Sequence, residues 1–185
     1  MNVSAEDLFL AVLFADGRSS VKGRTRLQKT IYILAKSLDL DSFDFKPYDY
    51  GGCSEEIIDL EEEYQNVGYV VEDNEGIRLT DEGVSAAVSS WDSLNEKLQE
   101  QIETIKKFTN SLSEDELIVY VYSQWPKDAC NSLIKERIMR GRIDIAVSMY
   151  RKSKVSLQRA AIIAGMSEKE FIELLSSRKI PVIEA

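Results

Sequence analysis

The stretch Val155-Ser-Leu-Gln-Arg-Ala-Ala-Ile-Ile-Ala-Gly-Met-Ser-Glu-Lys-Glu-Phe-Ile-Glu-Leu-Leu175 constrains the fold more tightly than any other. Leu157, Ala160, Ala161 and Ala164 fall at i, i+3, i+4 and i+7, a narrow stripe of small apolar residues on one helix face. Gly165 follows, suited to the left-handed backbone that stops a helix. Ser167 opens Ser-Glu-Lys-Glu, a capping box in which Glu170 reaches back to the cap. Phe171, Leu174 and Leu175 give the second helix its apolar side. Two short helices, a turn with glycine and alanines at the crossing predict a helix-turn-helix. Such a hairpin can either contact nucleic acid or only pack.

Charge is segregated along the chain. The formal net charge is −9, which by itself argues mildly against a nucleic-acid binder. Residues 1–38, however, carry about +3, residues 39–83 about −13, residues 84–134 about −4 and residues 135–185 about +5. The ends are basic and the middle is acidic.

Histidine is absent, which excludes Ser-His-Asp, Cys-His and His-based metal chemistry. Cys53 and Cys130 are far apart and lack CxxC spacing, as expected of free thiols in a reducing compartment. Asp39, Asp41, Asp44 and Asp49 could be imagined around magnesium, but dense acids in a loop are more often solvated. No cofactor and no metal site is expected, and no nucleophile lies beside a base, so a non-enzyme is expected. No run reaches the roughly 20 apolar residues that span a bilayer. The N-terminus carries acids rather than a basic leader, so a cytoplasmic protein without a membrane partner is expected.

The periodicity predicts helices over 5–15, from Arg24 to about Leu38 and from Ser54 to about Val67. Phe43 and Phe45, with Tyr48 after them, alternate as in a short extended segment, while Pro47 forbids a central strand. Tyr69-Val-Val71 and Ile77-Arg-Leu79 flank a turn and predict a β-hairpin. Three helices followed by a hairpin are the layout of a winged helix. Thr80 caps a long helix expected to run to about Thr109, with Trp91, Leu94, Leu98, Ile105, Phe108 and Leu112 in a 3-4 pattern. That stripe suits a dimer seam or an antiparallel helical hairpin. Ser113 begins another capping box, and Leu117 to Gln124 suits a buried helix. Helix is expected to resume from Lys127, with a break at Gly141, and Arg178 to Ile183 reads as a terminal strand. The fold class expected is mainly α with a small β-hairpin. Its parts are a winged-helix-like domain over 1–80, a helical connector and dimerisation region over 81–134, and a helix-turn-helix domain over 135–185.

Two resemblances cover most of the chain. Ala15-Asp-Gly17, Gly23-Arg-Thr-Arg-Leu-Gln-Lys29, Phe43 to Gly51, Ser54-Glu-Glu56, Leu112 to Leu117 and Tyr120-Val-Tyr122 resemble a group of prokaryotic, chiefly archaeal, winged-helix-like proteins of unsettled function. Residues Ala146 to Val182 are similar to the UPF0175 family of small predicted antitoxins, especially Ser156 to Ala161, Ala164-Gly-Met-Ser167, Glu170-Phe171 and Ile180-Pro-Val182. Members of that family are often thought to pair with PIN-domain ribonuclease toxins. The resemblance implies DNA-linked regulation or partner binding.

Two functional readings follow. In the first, a dimeric transcriptional regulator or antitoxin binds duplex DNA through its basic ends. Arg18, Lys22, Arg24, Arg26 and Lys29 would meet phosphates, since cations near a helix N-terminus add to its dipole. Lys154, Gln158 and Arg159 would flank the first helix of the hairpin, and Ser167, Glu168 and Lys169 would begin the second, where base edges are read. In the second, Glu55, Glu56, Asp59, Glu62 and Glu63 form a face that docks a basic protein such as a toxin. That helix precedes the expected hairpin, the usual groove-reading position, where carboxylates would face phosphates.

Overall fold

The computed structural model describes residues 3–46, 51–129 and 132–182. Its elements are α1 (Ala5–Arg18), α2 (Arg24–Leu38), α3 (Glu55–Asn66), β1 (Val70–Asp73), β2 (Gly76–Leu79), α4 (Asp81–Ser93), α5 (Glu96–Ser111), α6 (Glu114–Gln124), α7 (Lys135–Arg151), α8 (Leu157–Ala164) and α9 (Glu168–Ser177). The chain divides into one unit of residues 1–46 and 52–111 and a second of residues 47–51 and 112–185. The stretch expected to act as a connector is thus shared out, α4 and α5 to the first unit and α6 to the second.

In the first unit the Ser4 hydroxyl caps α1 by accepting from the Asp7 amide at 3.0 Å. The helical backbone lapses at Ala15, Asp16 and Gly17, so the helix proper ends where its apolar stripe ends. Leu8, Phe9, Val12 and Leu13 from α1 meet Leu27, Ile31 and Leu34 from α2, Ile57 and Leu60 from α3, and Ile77 from β2. Each fully buried side chain of this size contributes about 1.5–3 kcal/mol. β1 and β2 pair antiparallel with Val70 opposite Leu79 and Asp73 opposite Gly76. Val21 adds one antiparallel bridge to Ile77, with amide-to-carbonyl distances of 2.9 and 2.8 Å. Three helices followed by a hairpin are present as expected.

The long helix expected from Thr80 to Thr109 is two helices. Leu94 adopts an extended backbone, and the Asn95 carboxamide oxygen accepts from the Leu98 amide at 2.9 Å, starting α5 afresh. A residue that caps well competes with continuation of the helix. The bend lets Leu94, Leu98 and Ile102 turn into the core of their own unit, with Trp91 and Ile105 partly buried against it, so part of the stripe that suits a dimer seam or an antiparallel hairpin packs internally.

In the second unit α6 opens on Ser113, whose capping box with Glu116 is complete, and Leu117, Ile118, Val119 and Val121 are buried. Helix resumes at Lys135 rather than Lys127 and passes through Gly141 without a break. Both α6 and α8 pack on α7, and α9 folds back on α8. Arg178 to Ile180 form the turn that ends α9, with the Ile180 amide donating to the Leu175 carbonyl at 2.9 Å. Pro181 and Val182 lie outside any strand. The remainder of the expected strand, Ile183, falls outside the described residues, as do Tyr48, Asp49 and Cys130.

Candidate functional site

Two members of the basic cluster expected around α2, Arg26 and Lys29, turn inward. The Lys29 side chain is only 2% exposed, and its ammonium donates to the Gly52 carbonyl at 2.8 Å. Burial pushes the Lys29 pKa down to about 8, with some opposition from Cys53. Arg26 is buried and donates to the Thr109 carbonyl of α5. Arg24 keeps an exposed stem but pairs through Nε with Glu61 at 2.9 Å and lies 3.8 Å from Glu72. The hydrogen bond and charge of Glu61 raise the Arg24 pKa. Arg18 and Lys22 remain exposed. Of the five cations expected to meet phosphates in this unit, Arg26 and Lys29 brace the fold from its interior, where burial rather than the carbonyl bond keeps them from solvent, and Arg18, Lys22 and Arg24 lie at the surface.

These inward groups hold the entry to α3. The Gln28 carboxamide donates to the Ser54 carbonyl at 2.9 Å and accepts from the Ser54 amide at 3.1 Å. Ser54 itself makes no side-chain cap to α3. Beyond that anchor, Glu55, Glu56, Asp59, Glu62 and Glu63 are all exposed, whereas Glu61 turns inward to Arg24. Burial raises the Glu61 pKa despite the opposing hydrogen bond and charge from Arg24. The five carboxylates singled out in the sequence thus share the solvent side of one helix.

In the second unit the α8–α9 hairpin forms as its spacing requires. Ala160, Ala161, Ala164, Phe171 and Leu175 are buried, and the Phe171 ring meets Tyr150 edge-on with centroids 6.1 Å apart. The Ser167 hydroxyl accepts from the Glu170 amide at 3.3 Å and the Glu170 carboxylate accepts from the Ser167 amide at 2.7 Å. The Ser167 hydroxyl also donates to that carboxylate at 2.8 Å, and the amide and hydroxyl donors together hold the Glu170 carboxyl below the usual range.

Lys154 and Arg159 are engaged within this unit. The Lys154 ammonium donates to Glu116 Oε2 at 2.7 Å, and Lys152 approaches Glu116 Oε1 at 3.5 Å. Burial alone would raise the Glu116 pKa, but hydrogen bonds from Lys154 and the Ser113 amide and the two lysine charges hold it low. The Arg159 guanidinium donates to the Gln124 carboxamide and sits over the Tyr120 ring, 5.8 Å from its centroid. Gln158, Ser167, Glu168 and Lys169 are exposed.

A groove of about 680 Å³ brings Lys154, Gln158 and Glu168 together. Tyr150, Val155, Leu157, Ile172 and Val182 supply apolar surface between them. This groove is not expected from the sequence: the apolar side assigned there to the second helix is Phe171, Leu174 and Leu175, without Ile172, and Val182 falls in the expected terminal strand. Among the described residues no cluster of three or more His, Cys, Asp or Glu could hold a metal ion. None of their helices is long and apolar enough to cross a membrane.

Comparison with known proteins bears on this second unit. Residues 120–185 match the model of an uncharacterised protein family, UPF0175. A UPF0175 protein of Archaeoglobus fulgidus is 37% identical over 65 residues, which are 35% of this chain and 75% of that relative. The chain belongs to the UPF0175 family. The matched segment starts within α6 and takes in α7, α8 and α9, so the UPF0175 part coincides with most of the second unit. No solved structure matches the chain.

Proposed function

We propose that this UPF0175 protein is a non-catalytic, antitoxin-like protein that engages a basic protein partner through the exposed carboxylates of α3. The observation that carries this reading is the contrast between the two sets of charged residues. Glu55, Glu56, Asp59, Glu62 and Glu63 all face solvent. Arg24, Arg26, Lys29, Lys154 and Arg159, five of the eight cations expected to meet DNA, are engaged by groups of their own unit. Exposed like charges on one helix repel one another, and an oppositely charged surface relieves that repulsion while steering association. The family's standing as predicted antitoxins agrees with a partner of nuclease type.

The test is co-expression with a PIN-domain protein from the same genome. The chain should copurify with it and relieve its growth arrest. The Glu55→Lys/Asp59→Lys/Glu62→Lys variant should fold but lose both effects. Copurification that survives this charge reversal would move the partner surface elsewhere.

A second reading, duplex recognition by a winged-helix-like first unit and a helix-turn-helix in the second, is favoured by one observation. Gln158, Ser167 and Lys169 are exposed around the start of α9, where a recognition helix meets base edges. Glu168, Glu170 and Glu173, also exposed on α9, oppose it electrostatically. Sequence-selective binding to a defined operator, lost in Gln158→Ala/Lys169→Ala, would establish this reading over the first.

A further inference from the structure

The last three helices of the second unit are each followed by a left-handed residue. These are Ser153 after α7, Gly165 after α8 and Lys179 after α9, with φ of 53°, 73° and 58°. Glycine takes this conformation without cost, whereas a side chain with Cβ is strained there. Lys179 is held in it by hydrogen bonds from its amide to the Ser176 carbonyl at 3.0 Å and from the Ile180 amide to the Leu175 carbonyl at 2.9 Å. Its side chain lines a cavity of about 450 Å³ together with Arg151, Arg178, Tyr150, Ile180 and Pro181.

We propose that Arg151, Arg178 and Lys179 form a contact site for the phosphate backbone of a nucleic acid, at the C-terminal ends of α7 and α9. All three cations are exposed. Arg178 Nη1 reaches Asp144 Oδ1 at 2.6 Å, while among the described residues no carboxylate lies within ion-pair distance of Arg151 or Lys179. Compensation of helix dipoles accounts for a cation in a last turn. It does not account for a lysine at the strained left-handed position, since a last-turn lysine would serve the dipole equally. The exposure of the cations points to a polymer rather than a small anion. Exposed cations gain little from one hydrated phosphate, but several act together on a polyanion by releasing its condensed counterions. The site lies away from the start of α9 and depends on neither functional reading above.

The experiment measures anisotropy of a labelled random-sequence duplex with the full chain across a salt series. Wild type should bind at low salt. Arg151→Ala/Lys179→Gly should bind roughly ten- to a hundred-fold more weakly, with a log–log salt slope shallower by about two contacts. Glycine suits the left-handed position, so this variant should melt no lower than wild type. Asp144→Ala, which releases Arg178 from an exposed carboxylate, should bind the duplex more tightly. Absence of wild-type binding, variant affinity within twofold of wild type, or equal competition by inorganic phosphate at matched ionic strength would each overturn the proposal.

Discussion

The guanidinium of Arg142, on α7, occupies the space into which a side chain at Gly165 would project. Gly165 thus answers two demands at once, a φ of 73° and close approach of a neighbouring cation. The carbonyls at the end of α8 are the negative end of its dipole, and the Arg142 guanidinium lies beside its C-cap, Gly165. Gly165→Ala should therefore cost about 1–2 kcal/mol, that of left-handed backbone, since the far end of a flexible arginine can swing aside. Urea denaturation of Gly165→Ala beside Gly165→Ala/Arg142→Ala checks this. The second variant should recover little of the loss, and a large recovery would show that Arg142 is held firmly in place.

Glu116 and Lys154 tie α6 to the loop before α8. Their side chains are 6% and 18% exposed, so removal of either leaves a poorly solvated charge behind. Lys154→Met should destabilise the protein by about 2–4 kcal/mol. The Glu116 pKa is lowered in the folded state, so its contribution is present above the unfolded value near 4.3 and is lost as pH falls through the folded value. Acid titration should show wild type losing stability relative to Glu116→Gln below about pH 5. Parallel acid profiles would show that the pair does not control this range.

Lys106 of α5 is fully buried and donates to the Leu13 and Ala15 carbonyls at 3.0 and 2.9 Å, where α1 lapses from helix. Burial lowers its pKa to about 8, against the pull of Asp16 and Glu103. Lys29 is likewise lowered to about 8. Between pH 8 and 10.5 the unfolded chain binds more protons at these lysines than the folded chain does, so stability should rise with pH across that window. Each lysine can contribute on the order of 3 kcal/mol to the rise. The measurement is unfolding free energy at pH 7.5, 9 and 10.5 for wild type and Lys106→Met. The variant should show the smaller rise, and an equal rise would assign it to other groups.

The legible parts of the sequence were those where a residue acts on its own backbone. Thr80, Ser113 and Ser167 each start a helix where expected, and Gly165 stops α8. The break at Leu94 was hidden because its apolar spacing continues through the bend, and only the single capping residue Asn95 marks it. The inward turn of Arg26 and Lys29 was hidden for another reason. Their acceptors are backbone carbonyls of Thr109 and Gly52, and a carbonyl leaves no trace in residue identity. By contrast, the exposed carboxylates of α3 were legible from helical spacing, since Ile57 and Leu60 fix which side is buried.

The same placement sets a test for the cations of the first unit. Thr30 Oγ1 hydrogen-bonds the Arg26 carbonyl at 2.9 Å and Thr109 Oγ1 at 2.8 Å, so Arg26 belongs to a buried polar seam between α2 and α5. Arg26→Ala and Lys29→Ala should each destabilise the protein by about 2–4 kcal/mol, because the carbonyl left behind loses its donor and a cavity opens. Arg18→Ala and Lys22→Ala, at exposed positions, should stay within about 0.5 kcal/mol of wild type. Thermal and urea unfolding of the four variants separates the groups. If Arg26→Ala and Lys29→Ala melted with wild type while weakening duplex binding, their side chains would have to leave the interior to meet phosphate, and the internal role given to them here would fail.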